Sequence, residues 1–337
     1  MGRWDRIRVA WLAAAALGAA PAAAGDAFVD PLDLPARPSA LAARSPLAAV
    51  AVVGARLVAV GQRGHVLWSD DGGLRWTQAT VPVSTDLTAV HFASPERGWA
   101  VGHDGVILAT ADGGRTWARQ LDLRTLGPLV ATPGAGPAGP GSEVSFLDVW
   151  SDDEQVGVAV GGFGLVVRTV DGGRTWRPWR DGVDNPRGLH LYAVRRIGGT
   201  LFVAGEQGLL LREDPVRRRL VMLQAPSSGS FFGLMGLGRT VVAFGLAGHA
   251  VRSGDGGATW RRVATGVGEA LTGGAVLPDG RLVLVSEAGQ VLVSADDGRS
   301  FSPVAVGRAE PIAGVVAAGP GALVLVGAGG VRRVALH

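Results

Sequence analysis

Short apolar runs separated by polar turns recur along this chain at a nearly constant spacing. Each unit reads as an apolar run, a turn, a second and a third apolar run around a glycine, and a polar turn ending in an aromatic residue. Runs of four to seven apolar residues bounded by Gly, Asp and Pro are typical of short strands buried between sheets. Beyond the N-terminal leader no sustained helical period appears, so the pattern predicts an all-β protein made of repeats.

The polar turn carries the motif Ser/Thr-x-Asp-x-Gly-x-Thr/Ser-Trp/Phe, called the Asp box below. Successive Asp-box aspartates are 41, 59, 84 and 41 residues apart, which fits a repeat of about 40 residues with one insertion and one degenerate copy. Repeats of this length with short strands and glycine turns are typical of β-propellers. The five copies are residues 69–76, 110–117, 169–176, 253–260 and 294–301.

Counting strands rather than Asp boxes gives seven units. A strand that begins with Gly occurs seven times, and a second aligned run upstream also occurs seven times. We name the strands of each unit a to d in chain order, with a innermost. The prediction is a seven-bladed β-propeller of four-stranded antiparallel blades over residues 46–337. The glycine-led strands are residues 64–69, 105–110, 164–169, 208–213, 248–253, 289–294 and 330–335.

The seventh unit stops after strand c, whereas residues 25–45 precede the first strand and belong to no unit. We therefore expect the N-terminal segment to close blade 7, with residues 28–40 pairing with residues 331–335. Such pairing would cover an exposed strand edge. The prolines at positions 31, 35 and 38 suit an outermost strand, where a missing N–H faces solvent.

Two connections between blades are unusually long or polar. Residues 127–143 form a Pro- and Gly-rich insertion between blades 2 and 3, expected to be exposed and flexible. Residues 180–189 join blades 3 and 4. Both are connections from strand d to strand a, so they lie on the same propeller face as the turns between strands b and c.

The Asp-box residues are expected to be structural. The Asp side chain can accept hydrogen bonds from backbone N–H groups of its turn, and the Trp can cover the edge of the blade core. One or two carboxylates per turn fall short of what calcium requires, so no metal site is predicted. The residues assigned to this role are Asp71, Asp112, Asp171, Asp255, Asp296, Trp76, Trp117, Trp176 and Trp260.

The N-terminus has the three parts of a secretory signal. Arg3, Arg6 and Arg8 form a basic region, residues 9–20 are apolar, and residues 22–24 offer a small-x-small cleavage site. This predicts a signal peptide over residues 1–24 and a periplasmic protein, with an uncleaved anchor as the alternative. The absence of Cys from the sequence excludes a disulfide framework and a lipoprotein anchor.

The charge of the chain gives little support to nucleic-acid binding. All 32 basic residues are arginines, and the net charge is +3. Loss of the leader would remove three arginines and Asp5 and leave +1. We therefore predict no nucleic-acid partner.

Catalytic signatures are weak. The six histidines form no metal-binding pair, no nucleophile elbow is present, and no cofactor is predicted. Asp-box repeats are nevertheless known from sialidases, which use a Tyr nucleophile, a Glu partner and three arginines. The alternative function is therefore a carbohydrate-active propeller. Its candidate is Asp148, which stands where the other inner strands carry Ala or Gly, whereas the single tyrosine, Tyr192, has no arginine triad to accompany it.

The units VGHDGVILATADGGRTW (residues 101–117) and VGGFGLVVRTVDGGRTW (residues 160–176) resemble those of the photosystem II stability/assembly factor family. This resemblance implies an exported, non-catalytic propeller that holds membrane-protein subunits during assembly. Similar propellers occur in bacteria that do not photosynthesise, some beside membrane-transport systems. The implied partner is a membrane protein or membrane protein complex, bound by a monomer.

Side chains that differ between repeats on a constant framework are candidates for specificity. The predicted partner-binding face consists of the turns between strands b and c with their flanking arginines: Arg63, His103, Asp104, Phe163, Arg180, Arg187, Glu206 and Gln207. Blade 4 replaces the Gly pair and Trp of its Asp box with Pro and three arginines. These predict a basic edge patch, for an acidic or lipid-headgroup partner, made of Arg217, Arg218 and Arg219.

Overall fold

The computed structural model describes residues 29–130 and 144–336. These residues form seven small antiparallel sheets arranged as the blades of a β-propeller, which confirms the predicted fold. The predicted signal segment 1–24 and residues 131–143 of the predicted insertion lie outside the described residues.

Each of the first three blades has four strands in sequential order, with strand a innermost. Blade 1 consists of β1 (Leu47–Val53), β2 (Arg56–Gly61), β3 (Val66–Ser69) and β4 (Thr77–Gln78). Blade 2 consists of β5 (Leu87–Phe92), β6 (Gly98–Gly102), β7 (Ile107–Thr110) and β8 (Ala118–Leu121). Blade 3 consists of β9 (Phe146–Ser151), β10 (Gly157–Gly161), β11 (Val166–Thr169) and β12 (Arg177–Pro178).

The remaining blades repeat this order. Blade 4 consists of β13 (Leu191–Ile197), β14 (Thr200–Gly205), β15 (Leu210–Asp214) and β16 (Arg219–Met222). Blade 5 consists of β17 (Phe231–Leu237), β18 (Thr240–Gly245), β19 (Ala250–Ser253) and β20 (Arg261–Val263). Blade 6 consists of β21 (Leu271–Val276), β22 (Leu282–Ser286), β23 (Val291–Ser294) and β24 (Ser302–Val304). Blade 7 consists of β25 (Ile312–Ala317), β26 (Ala322–Gly327) and β27 (Gly330–Ala335).

The hydrophobic core lies between blades rather than within them. Strands b and c are apolar on both faces because a neighbouring blade covers each face. Val58 and Val60 of blade 1, for example, share one core cluster with Leu108 and Trp117 of blade 2. Each blade therefore depends on its neighbours for burial.

The Asp-box turn is closed by its own side chains. In blade 2, one carboxylate oxygen of Asp112 accepts hydrogen bonds from the backbone N–H groups of Arg115 and Thr116, each at 3.0 Å. The other oxygen accepts the Thr116 hydroxyl at 2.6 Å. Trp117 is buried, and its indole N–H donates to the carbonyl oxygen of Gly114 at 3.1 Å. The carboxylate thus replaces backbone partners that a tight turn cannot supply.

An arginine from the preceding blade binds each Asp-box turn. The acceptor is always the carbonyl oxygen of the residue that follows the Asp-box aspartate. Five junctions share this contact: Arg56 to Gly113 (2.9 Å), Arg97 to Gly172 (2.6 Å), Arg212 to Gly256 (3.5 Å), Arg252 to Asp297 (2.6 Å) and Arg333 to Gly72 (3.1 Å).

The predicted pairing of the N-terminal segment with blade 7 is wrong for residues 29–40. The sheet of blade 7 has three strands, and residues 29–40 run instead beside blades 1 and 2. Ala36 donates its backbone N–H to Val81, and Pro31 accepts one from Ser84. Leu32 is buried in the core cluster between those blades. The physical reason is that three prolines lack the N–H groups a ladder needs, while Leu32 gains burial elsewhere.

The ring closes by packing of blade 1 on blade 7. Leu57 and Ala59 of blade 1 share a core cluster with Val324 and Val326 of blade 7. The Arg333 guanidinium adds the contact with the Asp box of blade 1. The short helical turn Ala42–Arg44 of the N-terminal segment contacts β27.

The start of the predicted insertion is helical rather than irregular. α1 (Leu123–Val130) follows strand d of blade 2 and includes residues 127–130. Leu126 is fully buried in the core cluster between blades 2 and 3, and this tertiary contact explains a helix that the local sequence did not indicate. None of the described helices is long and apolar enough to cross a bilayer.

We predict that the buried contact of Leu32 stabilises the ring. Leu32→Ala should lower the free energy of unfolding by about 2–5 kcal/mol, the usual cost of truncating a buried leucine. Val29→Ala is the matched control, because Val29 is 54% exposed. Chemical denaturation of both variants measures the difference, and equal stabilities would show that the segment is a free tail.

The Asp boxes also predict acid sensitivity. The backbone N–H and hydroxyl of Thr175 lower the pKa of Asp171 from 3.8 to about 2. Because the folded-state pKa is depressed, this stabilisation is present above about pH 4 and is lost as the pH falls through about 2. Thermal melts between pH 7 and pH 2 should therefore show a weaker pH dependence for Asp171→Asn, at a lower starting stability. Asp181→Asn, at an exposed position in the connection that follows this blade, should melt like the wild type throughout.

Candidate functional site

The turns between strands b and c share one backbone conformation. Five of them place a non-glycine residue in the left-handed region, with φ between 53° and 56°, immediately before a glycine that is also left-handed. The backbone is constant because it is set by the glycines and the flanking strands, whereas the residue at the first position varies. Those residues are Arg63, Asp104, Phe163, Gln207 and Ala247.

Blade 3 presents an apolar cavity on this face. Phe163 is 71% exposed at the tip of its turn and contacts His190, with ring centroids 4.7 Å apart and ring planes tilted by 50°. Beside it lies an open cavity of about 430 Å³, lined by Phe163, Trp179, Arg180 and Val183 among others. An exposed aromatic ring next to a partly apolar cavity is typical of an anchoring site for a protein segment.

Polar groups border the cavity on the blade 4 side. The Arg187 guanidinium donates a hydrogen bond to the side chain of Gln207. A carboxylate oxygen of Glu206 accepts the backbone N–H of His190 at 3.2 Å. Arg180 donates to the carbonyl oxygen of Leu129 in α1 at 2.9 Å. The structure therefore brings five of the eight predicted face residues together around blades 3 and 4.

The other three predicted residues lie apart, at the junction of blades 1 and 2. Arg63 donates its backbone N–H to the Asp86 side chain at 2.8 Å, and His103 donates its own to the Asp86 carbonyl at 3.0 Å. The Asp104 carboxylate accepts the Thr85 hydroxyl at 2.5 Å. The backbone of Arg63 and His103 and the side chain of Asp104 are thus bonded to the connection between blades 1 and 2, and none of the three residues lines the cavity.

Aromatic residues continue from the cavity into the central channel. Tyr192 lies 6.2 Å from His190 and 5.3 Å from Phe232 between ring centroids. Burial, with a smaller contribution from the charge of Glu206, raises the pKa of Tyr192. Sequence reasoning missed Trp179, His190 and Phe232. An alignment of the seven inner strands could have found Tyr192 and Phe232, because both occupy the same repeat position and no other blade has an aromatic residue there. The residues at that position in the other blades are Ala48, Thr88, Leu147, Thr272 and Ala313.

Asp148 lies in the channel wall but is occupied by protein contacts. One carboxylate oxygen accepts the backbone N–H of Val194 at 2.8 Å and a guanidinium N–H of Arg195, and the other accepts the N–H of Val149. Burial raises the pKa of Asp148, and the Arg195 charge opposes that rise. The cavity in the channel measures about 160 Å³. Asp148 therefore joins blades 3 and 4 and has no free oxygen directed at a ligand.

The predicted basic edge patch is partly neutralised. Arg217 forms an ion pair with Asp214 at 2.6 Å, although its side chain remains 71% exposed. Arg218 occupies the left-handed position of the turn, and Arg219 begins β16.

Within residues 29–130 and 144–336, no group of three or more potential metal-ligating side chains occurs.

Trp117 and Trp176 are buried, whereas Trp76 and Trp260 are half-buried. The five Asp-box aspartates all accept backbone and hydroxyl hydrogen bonds within their turns. This geometry suits the predicted structural role.

Comparison of the sequence with known proteins points to one family. Residues 50–129 match the family model described as photosynthesis system II assembly factor YCF48. Over 72 residues the chain is 43% identical to the chloroplastic photosystem II stability/assembly factor HCF136 of Cyanidioschyzon merolae. That alignment spans 21% of this chain and 16% of the relative.

Comparison of structures extends the likeness to almost the whole chain. YCF48 from Cyanidioschyzon merolae aligns with a TM-score of 0.64 at 17% identity, over 87% of this chain and 96% of that one. YCF48 bound to a D1 peptide aligns with a TM-score of 0.62 at 16% identity, over 87% and 92%. The WD40 propeller domain of Doa1 aligns with a TM-score of 0.64 at 13% identity, over 90% and 95%, so the structural likeness shows the fold alone. Fold and sequence together make this chain a seven-bladed Asp-box propeller similar to the photosystem II stability/assembly factor family.

Proposed function

We propose that this protein is a non-catalytic scaffold that binds a segment of a membrane protein during assembly of a membrane complex. The binding site is the cavity of blades 3 and 4 on the face of the turns between strands b and c. Export by the N-terminal leader and a periplasmic location are part of the same proposal, because the leader has the composition of a secretory signal.

The observation that carries the proposal is the exposed ring of Phe163 beside the cavity. Phe163 occupies a left-handed backbone position, which disfavours bulky side chains, and 71% of its surface faces solvent. The exposed part of the Phe163 ring adds no burial to the hydrophobic core of the propeller. A partner segment that covered Phe163 and entered the cavity would bury apolar surface of both molecules.

The surrounding polar groups suit a peptide. Arg180 lines the cavity, and Arg187, Glu206 and Gln207 add charges of both signs and an amide group on the blade 4 side, where His190 contacts Phe163. A hydrophobic centre with a polar rim is the usual arrangement of a specific protein interface. A related propeller of the same fold, YCF48, is bound to a D1 peptide in its structure.

The proposed partner, called the client below, is a membrane protein of one of two classes. The family resemblance is consistent with a photosystem subunit in a photosynthetic host or with a component of a membrane transporter in another host. In both cases the recognised part would be an extended segment outside the bilayer. We propose that the scaffold acts as a monomer, with one binding cavity for each ring.

The alternative of a carbohydrate-active enzyme fits the channel poorly. An acid or base catalyst must exchange a proton with its substrate, but both oxygens of Asp148 are engaged by Val149, Val194 and Arg195. The channel cavity of about 160 Å³ is also smaller than the roughly 300–1,000 Å³ of most small-molecule sites. These contacts support a non-catalytic role.

We predict that Phe163→Ser reduces partner capture. The tagged mature protein would be crosslinked in membranes of the source organism, and the captured membrane proteins quantified by mass spectrometry. Loss of an aromatic anchor typically costs 2 kcal/mol or more of binding free energy, so recovery of the client should fall about tenfold or more.

Val170→Ser is the matched control. Val170 is 63% exposed in the same blade but belongs to the Asp-box turn on the opposite face, so this variant should capture the client like the wild type. Equal capture by both variants would contradict the assigned site. Absence of any enriched membrane protein with the wild type would contradict the proposed function itself.

A further inference from the structure

The outer edge of blades 5 and 6 carries a second, very different cavity. Its volume is about 430 Å³, and four arginines line it: Arg252, Arg261, Arg262 and Arg299. One carboxylate, that of Asp255, belongs to the lining. Both oxygens of Asp255 already accept hydrogen bonds from its own Asp-box turn. We call this cavity the arginine groove.

Three arginines of the groove donate hydrogen bonds to backbone carbonyl groups. Arg252 donates to the Asp297 carbonyl at 2.6 Å, and Arg262 donates to the Pro226 carbonyl at 2.7 Å. Arg299 donates to the Asp296 carbonyl at 2.9 Å. Over the described parts of the chain, Arg252, Arg261 and Arg262 form no ion pair within 4.0 Å, whereas Arg299 pairs with the exposed carboxylate of Asp297 at 3.4 Å. The charges of Arg252 and Arg262 are thus oriented but not neutralised, which is the state expected of an anion site.

Exposed apolar side chains occur on the same face as the Asp-box turns, in blade 5 and in the neighbouring blade 4. The turns between strands a and b and between strands c and d lie at the same ends of the strands, so both belong to the Asp-box face. Val216, in the turn between strands c and d of blade 4, is 91% exposed, and Leu237, in the turn between strands a and b of blade 5, is 61% exposed. The hairpin of Leu237 is joined to the Asp-box turn of blade 5, because Arg239 donates to the Asp255 carbonyl at 3.2 Å.

We propose that the Asp-box face of blades 4 to 6 docks on an anionic lipid surface. In this arrangement the arginine groove binds the phosphate of a lipid headgroup, and Val216 and Leu237 enter the headgroup layer. The planar guanidinium group matches the geometry of phosphate oxygens and can bind them through two parallel hydrogen bonds. The cavity for a protein segment lies on the opposite face and remains accessible while the propeller rests on the membrane.

The arrangement of the apolar side chains favours lipid over an acidic protein. Val216 and Leu237 project singly from two hairpins on neighbouring blades, whereas the centre of a protein interface is usually a contiguous apolar patch. Single apolar tips flanked by cations are suited to insertion between headgroups, where basic residues near the surface add to the attraction.

The test is co-sedimentation of the mature chain with vesicles. We expect binding to vesicles of equal parts phosphatidylglycerol and phosphatidylcholine, weaker binding as salt is added, and little binding to pure phosphatidylcholine. Arg261→Gln combined with Arg299→Gln should weaken binding to the anionic vesicles about tenfold, because each arginine near a charged membrane contributes measurably to the attraction. The matched control is Arg177→Gln combined with Arg174→Gln, which removes the same charge from the same repeat positions in blade 3.

A second pair of variants tests the apolar contribution. Val216→Ser combined with Leu237→Ser should also weaken vesicle binding. Leu129→Ser combined with Leu246→Ser should not, because these residues are 49% and 48% exposed and lie on the opposite side of the ring. Thermal melts of every variant confirm that the ring is intact.

The proposal is overturned if the wild-type protein does not bind anionic vesicles. It is also overturned if each test variant binds these vesicles as tightly as its matched control. Titration with inorganic phosphate separates the two sources of this anion. Saturable phosphate binding that is lost with Arg261 and Arg299, without vesicle binding, would make the groove a site for a free anion and would exclude lipid docking. Recovery of an acidic protein through the groove, without vesicle binding, would exclude it equally.

Discussion

The packing of the blades depends on one backbone carbonyl group in each Asp-box turn, which faces the preceding blade. The aspartate closes the turn by binding its backbone N–H groups, and this fixes the carbonyl oxygen of the next residue. An arginine of the preceding blade binds that oxygen at five of the seven junctions. Because each core lies between two blades, a contact that fixes the distance between neighbours also fixes the packing of the core.

The junction between blades 3 and 4 shows what replaces this contact. Blade 4 has lost the glycines and tryptophan of its Asp box, and ion pairs join the two blades instead. Asp148 pairs with Arg195 near the channel, and Asp152 pairs with Arg196 at 2.5 Å farther out. Backbone contacts between the connection and strand d of blade 4 add to them, as in the hydrogen bond from Asp184 to Leu220. The connection between blades 3 and 4, residues 180–189, also contributes residues to the lining of the cavity beside Phe163.

Variation is confined to positions where the framework does not need a particular side chain. The turns between strands b and c keep one backbone conformation while their first residue ranges from Arg to Phe to Ala. The same separation holds on the opposite face, where the exposed tips Leu74, Val170 and Val216 differ between Asp-box turns or their counterpart in blade 4. A constant ring can therefore carry two unrelated surfaces, one with an aromatic anchor and one with arginines, without a change in the core.

The sequence alone determined the blade count, the strand order and the turns that share a face, because short apolar runs and glycine turns are local features with a fixed period. It also placed Phe163, Arg180, Arg187, Glu206 and Gln207 on one face. The tertiary structure decided which of them meet, since Trp179 lines the cavity and His190 contacts Phe163 beside it, both from positions outside the repeated motifs. It also decided that Leu32 is buried between blades 1 and 2, so that none of residues 29–45 adds a strand to blade 7. The position of such a segment depends on where it buries the most apolar surface against parts of the chain that are distant in sequence. A local sequence pattern contains no information about those distant contacts.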